Sequence, residues 1–112
     1  MKIETSTIGG VAVARVEAES LETGNVGAFR GAITPVAEKN HQVVLDLGQV
    51  AFMDSTGLGA MLSCLRSLKA KNGALKLASL TPEVSQLFSM VMMDRVFEIY
   101  PDANAAAASF NS

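Results

Sequence analysis

Cysteine, histidine and clustered positive charge are scarce in this chain, and each shortage excludes a class of function. Of the 112 residues one is cysteine, Cys64, so no disulfide can close within the chain. The one histidine, His41, cannot complete a metal cluster of the usual kind with it. Charged residues make up 18%, the net charge is -2, and no block of Lys or Arg stands out. A basic face is the electrostatic footprint of nucleic-acid binding, so no nucleic-acid partner is expected. No apolar run approaches the roughly 20 residues needed to span a bilayer. Met1-Lys2-Ile3-Glu4-Thr5 does not open a signal peptide. The expectation is a cytoplasmic protein with no direct membrane insertion, for which six methionines and no disulfide suit a reducing compartment.

Apolar residues, by contrast, are plentiful at 49%, enough for one core in one domain spanning residues 1–112. Alternation on either side of Gly9-Gly10 predicts a hairpin of strands over residues 2–8 and 11–17. Residues 18–24 read as a loop. Asn25 can cap a helix carrying Val26, Phe29, Ile33 and Val36 at helical spacing, kinked or split at Pro35 and ending near Lys39-Asn40. Residues 43–47 form a short apolar run suited to a central strand, followed by a loop, 48–53, that keeps apolar anchors.

Leu58, Met61, Leu62, Leu65 and Leu68 then make the strongest amphipathic stripe in the chain, and Asn72-Gly73 ends it. Residues 74–78 read as a strand. Thr81-Pro82-Glu83 starts a helix whose buried stripe is Val84, Leu87, Phe88 and Val91. A strand at 96–100 and an Ala-rich helix at 102–110 complete the chain. Strands and helices alternate after the opening hairpin. That order predicts an α/β fold: a mixed sheet of four to five strands with about four helices.

The segment Asp54-Ser55-Thr56-Gly57-Leu58-Gly59 joins a buried strand to the best helix. Open α/β sheets place binding sites at the carboxyl ends of strands. The first turn of a helix offers free N–H groups and the positive end of a dipole, so a phosphate on Ser55 would be tolerated there. Gly57 and Gly59 each cost about 1 kcal/mol against Ala inside a helix. Two readings stay open on the residues alone. Either the glycines give a docking partner clearance, or Ser55 or Thr56 is only a helix cap and the glycines serve packing. The segment lacks the lysine of a nucleotide-binding loop and does not fit a hydrolase elbow. No catalytic constellation is expected, and no cofactor.

The run Val43 to Leu47 followed by Phe52-Met53-Asp54-Ser55-Thr56-Gly57-Leu58-Gly59 closely resembles the STAS domain of bacterial anti-sigma-factor antagonists. Gly73, Thr81-Pro82-Glu83-Val84, Leu87-Phe88 and Val96-Phe97 extend the resemblance over essentially the whole chain. The resemblance implies the STAS fold and a partner-switching role. The unphosphorylated antagonist would bind an anti-sigma factor that is also a GHKL-type serine kinase. Phosphorylation of Ser55, with Thr56 as second candidate, would release it, and a PP2C-type phosphatase would reset it. Asp54, Ser55, Thr56, Gly57, Leu58 and Gly59 would form the partner surface. The family's Gly-x-Leu-Asp-like motif after the second strand is absent, and Glu22 or Asn25 stands where its acidic residue would act. The alternative is a STAS subunit of a transporter-associated or stress-signalling complex that does not switch.

Four other features are read as structural. Cys64 is expected in the core, and His41 in a solvated loop. Asp46 is expected at a strand end. Met90, Met92 and Met93 are expected to include exposed members, with an adaptable partner surface as the functional reading.

Overall fold

The structure is a computed structural model that describes residues 1–111; Ser112, the far bound of the expected domain, lies outside the described residues. Strands β1 (Ile3–Ile8) and β2 (Val11–Val16) form the antiparallel hairpin, turned by Gly9 and Gly10, both at positive φ. After them come β3 (Ser20–Leu21), α1 (Val26–Lys39), β4 (Gln42–Asp46), β5 (Phe52–Met53) and α2 (Ser55–Lys69). The chain closes with β6 (Ala74–Ala78), α3 (Pro82–Met90), a 3₁₀ turn (Met93–Arg95), β7 (Glu98–Tyr100) and α4 (Ala103–Ser109). The main sheet runs β1-β2-β4-β6-β7, with every pair after the hairpin parallel.

Period-two alternation sorts the strand residues onto two faces. Ala12, Ala14, Val16, Val43, Leu45, Leu75 and Leu77 face α1, α2 and α3, where Phe29, Ile33, Met61, Leu65, Leu68, Val84 and Phe88 meet them. Val11, Val13, Val44 and Ala78 face α4 alone, through Ala106 and Ala107. Lys76 lies on that second face and is nearly buried. Its ammonium donates to Ser109 Oγ at 2.7 Å, pairs with Glu98 at 3.6 Å and sits 4.2 Å from the centre of the Phe110 ring. Burial of a lysine needs such compensation.

Several expectations are corrected. The supposed loops 18–24 and 48–53 contain β3 and β5, which pair in parallel as a second sheet. Two-residue strands carry no period to read. Helix α1 is one continuous helix through Pro35. Pro35 and Gly31, whose carbonyl loses its partner, are both exposed, so water can serve that carbonyl, while Phe29, Ile33 and Ala37 hold the other face to the core. Asn25 makes no side-chain cap. Asn72, not Gly73, takes the left-handed conformation after α2 (φ 62°). Gly73 is required because a Cβ there would collide with the His41 carbonyl oxygen. Val91 and Val96 are exposed, because α3 stops at Met90 and Met92 turns the chain through φ 60°. Of the methionines, Met90 and Met92 are exposed and Met93 packs on the core. His41 is exposed. Asp46 accepts from the Gly48 N–H at the end of β4. Cys64 is buried, and burial pushes its thiol up to about 11.

Candidate functional site

The short β3–β5 sheet lays two segments side by side at the carboxyl end of β4. Ser20 pairs with Phe52 and Leu21 with Met53. The Glu19 carbonyl accepts from the N–H groups of Ala51 and Phe52, and the Leu21 carbonyl accepts from that of Asp54. The chain segments leaving this sheet, Glu22 to Asn25 and Asp54 onward, are thereby neighbours. Val50 and Met53 anchor the second segment in the core, as expected of apolar anchors in this stretch, while Phe52 is 58% exposed.

Asp54 is the cap of α2, a place the sequence left to Ser55 or Thr56. Its extended backbone (φ -106°, ψ -175°) swings the carboxylate over the helix start. Oδ1 accepts from the N–H of Thr56 at 3.0 Å, from that of Gly57 at 3.1 Å and from the Thr56 hydroxyl at 2.6 Å. Oδ2 accepts from both the N–H and the hydroxyl of Thr23, each at 3.1 Å. The Thr56 hydroxyl, then the Gly57 N–H, holds this carboxyl well below the usual carboxylate range, with the two Thr23 groups adding to the effect. Asp54 is therefore a fixed negative charge that ties the loop before α1 to the first turn of α2.

Thr23 is the site residue that sequence reasoning missed. Its neighbours Glu22 and Asn25 drew notice as charged or capping residues, and a lone threonine in a polar loop gives no such signal. Asn25 shapes this loop: its side chain accepts from the Glu22 N–H at 2.9 Å and donates to the Ser20 carbonyl at 2.8 Å. Glu22 folds back over Gly24, where a Cβ would lie 2.7 Å from Glu22 Oε1.

The two glycines separate. Gly57 is buried, and a Cβ on it would collide with the Leu21 carbonyl and lie 3.0 Å from Met53 Cγ. Its clearance serves the chain's own β3, so the packing reading holds there. Around Gly59 a Cβ would meet nothing within 4 Å. Leu58 packs its side chain against the core while remaining partly accessible. Ser55, at the first position of α2, is exposed, and its hydroxyl makes no hydrogen bond among the described residues. A cleft of about 260 Å³ lies between α1 and α2, lined by Ile33, Thr34, Ala60, Ser63 and Cys64 among others, and contains none of residues 54–59. Ser55 and Thr56 stand exposed on the first turn of α2, an open surface that suits a macromolecular partner better than a small ligand, which needs a concave pocket.

The STAS-domain family model matches residues 2–106. The chain belongs to the STAS family. The STAS domain here is 28% identical over 82 residues to an anti-sigma-B factor antagonist of Bacillus subtilis, covering 73% of this chain and 75% of that one. The fold matches that of an anti-sigma factor antagonist from Mycobacterium paratuberculosis with a TM-score of 0.88 at 21% identity, over 99% of this chain and 94% of the other. It also matches the Bacillus cell fate determinant SpoIIAA in its phosphorylated form, with a TM-score of 0.66 at 20% identity over 93% and 96% of the two chains. The four helices and mixed five-stranded sheet are those of the STAS fold. No helix among the described residues is long and apolar enough to cross a membrane.

Proposed function

We propose that this STAS domain is an anti-sigma-factor antagonist that works by partner switching. Unphosphorylated, it binds an anti-sigma factor that is also a GHKL-type serine kinase; phosphorylation of Ser55 releases it, and a PP2C-type phosphatase restores binding. The observation that carries this reading is the contrast at the start of α2. Ser55 offers an exposed, unbonded hydroxyl on a backbone fixed by the Asp54 cap and its bonds to Thr23. The names of the similar proteins support it, as does a protein of the same fold solved in a phosphorylated form.

The switch follows from charge. A phosphoserine brings about -1.5 to -2 charges at neutral pH. In the free chain that charge is hydrated and sits at a helix N-terminus, which favours it. Inside a complex it would be desolvated beside the Asp54 carboxylate and would meet groups arranged for a neutral hydroxyl. A loss of about 3 kcal/mol in binding lowers affinity more than a hundredfold. No refolding is needed. The docking surface in this reading comprises Ser55, Leu58 and Gly59, with exposed Phe52 as an apolar contact, and the loop that Asn25 shapes. Asp54, Thr56 and Gly57 act in it mainly by holding the turn.

The test is direct. A GHKL-type kinase with ATP should place one phosphate on Ser55, mapped by mass spectrometry. Ser55→Ala should keep its affinity for the kinase, and Ser55→Asp should lose it about a hundredfold. Phosphate placed elsewhere, or equal binding by the two variants, sinks the reading.

A further inference from the structure

Ser55 and Thr56 are adjacent hydroxyl residues on one exposed helical turn, yet their surroundings differ in kind. We propose that the turn itself selects the acceptor: Asp54, held in place by Thr23, withdraws the Thr56 hydroxyl from phosphoryl transfer and leaves Ser55 available. This rests on the kinase-substrate reading above and assigns Thr23 and Asp54 as specificity-determining, positioning residues.

The geometry carries the assignment. Thr56 is tied to Asp54 Oδ1 twice, by its N–H at 3.0 Å and its hydroxyl at 2.6 Å, which fixes the side chain in one rotamer. The other carboxylate oxygen is tied twice to Thr23, so the carboxylate cannot swing away. Both hydroxyl protons, those of Thr23 and Thr56, point at Asp54. Each hydroxyl has one proton. The 3.3 Å approach of the two hydroxyl oxygens is thus a consequence of their shared acceptor. Ser55 has none of these ties.

Phosphoryl transfer needs the hydroxyl oxygen to attack the γ-phosphorus of ATP. A new P–O bond forms, the bond to the bridging oxygen breaks, ADP leaves, and the hydroxyl proton passes to a base. For Thr56, turning the oxygen toward ATP means breaking its short bond to an ionised carboxylate. Asp54 does not offset that loss by acting as base. It accepts from five donors, three on Oδ1 and two on Oδ2, and they keep it a weak proton acceptor. Rupture of one charge-assisted hydrogen bond corresponds to a disadvantage of about tenfold or more for Thr56. For Ser55 the proton leaves to a group of the kinase or to water, with nothing to break.

Two measurements test this. The first uses the protein alone. By NMR, the Thr56 side chain should occupy one χ1 rotamer while Ser55 averages over several, and the Thr56 hydroxyl should exchange with water about tenfold slower than that of Ser55. Asp54→Ala should level the two residues. Rotamer averaging and fast exchange at Thr56 in the unmodified protein would overturn the proposal. The second uses a GHKL-type kinase with ATP and reads the ratio of phosphothreonine 56 to phosphoserine 55 within one sample, which weakened docking alone does not change. The ratio should be no more than about 0.1 in the unmodified protein, and Ser55→Ala should be labelled on Thr56 at no more than about a tenth of the rate at which Ser55 is normally labelled. It should rise about tenfold in Asp54→Ala, and by less in Thr23→Val, which keeps the side-chain shape and loses one donor. Thr56 labelled in Ser55→Ala at the normal rate overturns the proposal. If no kinase labels either residue, the partner-switching reading fails, and the NMR result still decides whether Thr56 is withheld.

Discussion

The first turn of α2 has an inner and an outer side, and the same residue types do opposite work on the two. On the inner side, Gly57 lets the helix sit against the Leu21 carbonyl, and Thr56, though exposed, turns its hydroxyl back to Asp54. Outward, Gly59 has open space beside it and Ser55 keeps its hydroxyl free. One glycine and one hydroxyl build the turn, and one of each is presented by it. A motif of six residues is therefore a structural half interleaved with the half proposed to meet a partner, at the spacing a helix imposes.

The largest effect should come from the inner side. In Gly57→Ala the new methyl group meets backbone, which cannot rotate away, and also crowds Met53. Overpacking of this kind costs about 1–3 kcal/mol, and a backbone obstacle puts this variant near about 3. Chemical denaturation should show it, together with weakened β3–β5 protection in hydrogen exchange. A variant as stable as the parent would mean that the close approach to Leu21 is not obligatory, and the division into two sides would lose its inner half.

That division was only partly legible in the sequence. The helix stripe from Leu58 to Leu68, the Thr81 cap and the 74–78 strand are local patterns, and they stand in the structure. The motif itself was legible as a block. Its split was not, because Gly57 is explained by a carbonyl 36 positions earlier in the chain, and Asp54 by a threonine 31 positions earlier. Neither contact leaves a trace in the spacing of residues 54–59. The same reason hid Gly73, whose neighbour is the His41 carbonyl. Pro35 misled in the other direction: a strong local rule was overridden because the lost hydrogen bond faces water.

Next in size is the tie between the sides. Asp54→Ala removes the cap of α2 and the tether of Thr23, and should lower the unfolding midpoint measurably. Its pH signature is specific. An unfolded aspartate titrates near about 3.9. The folded value lies below that, so between the two the unfolded chain binds more protons and stability rises with pH. The contribution is in full force above the unfolded value and is lost as pH falls toward the folded one. Glu17, lowered by Arg15, shares this acid limb. The readout is therefore the difference between parent and variant: large at pH 6, and shrinking steadily below about pH 4. A difference that does not change with pH would show that the carboxylate charge is not what ties the two sides.

On the outer side, Gly59→Ala should stabilise the fold by about 0.5–1 kcal/mol, since Ala favours the helix and its methyl group finds open space. The same variant should bind a kinase partner less well if that partner presses onto this turn. Higher stability with reduced binding would sharpen the contrast with Gly57. Reduced stability would break it, by placing Gly59 among the residues that the chain itself needs.

The smallest effect on the fold belongs to the residue with the largest proposed effect on binding. Ser55→Asp puts a charge at the first position of α2, where the helix dipole favours it by about 0.3–1 kcal/mol. The neighbouring Asp54 carboxylate opposes it with a repulsion of similar size, screened because Ser55 is exposed. The two terms nearly cancel, and the net change in stability should stay within about 0.5 kcal/mol, as for most surface substitutions. Denaturation curves at low and moderate salt check both terms, because screening should weaken the gain and the repulsion together and leave the difference small. A marked loss of stability in Ser55→Asp would mean that charge at this residue acts through the fold. The outer side would then be structural as well, and release by phosphate would proceed by loosening the turn instead of by spoiling the contact.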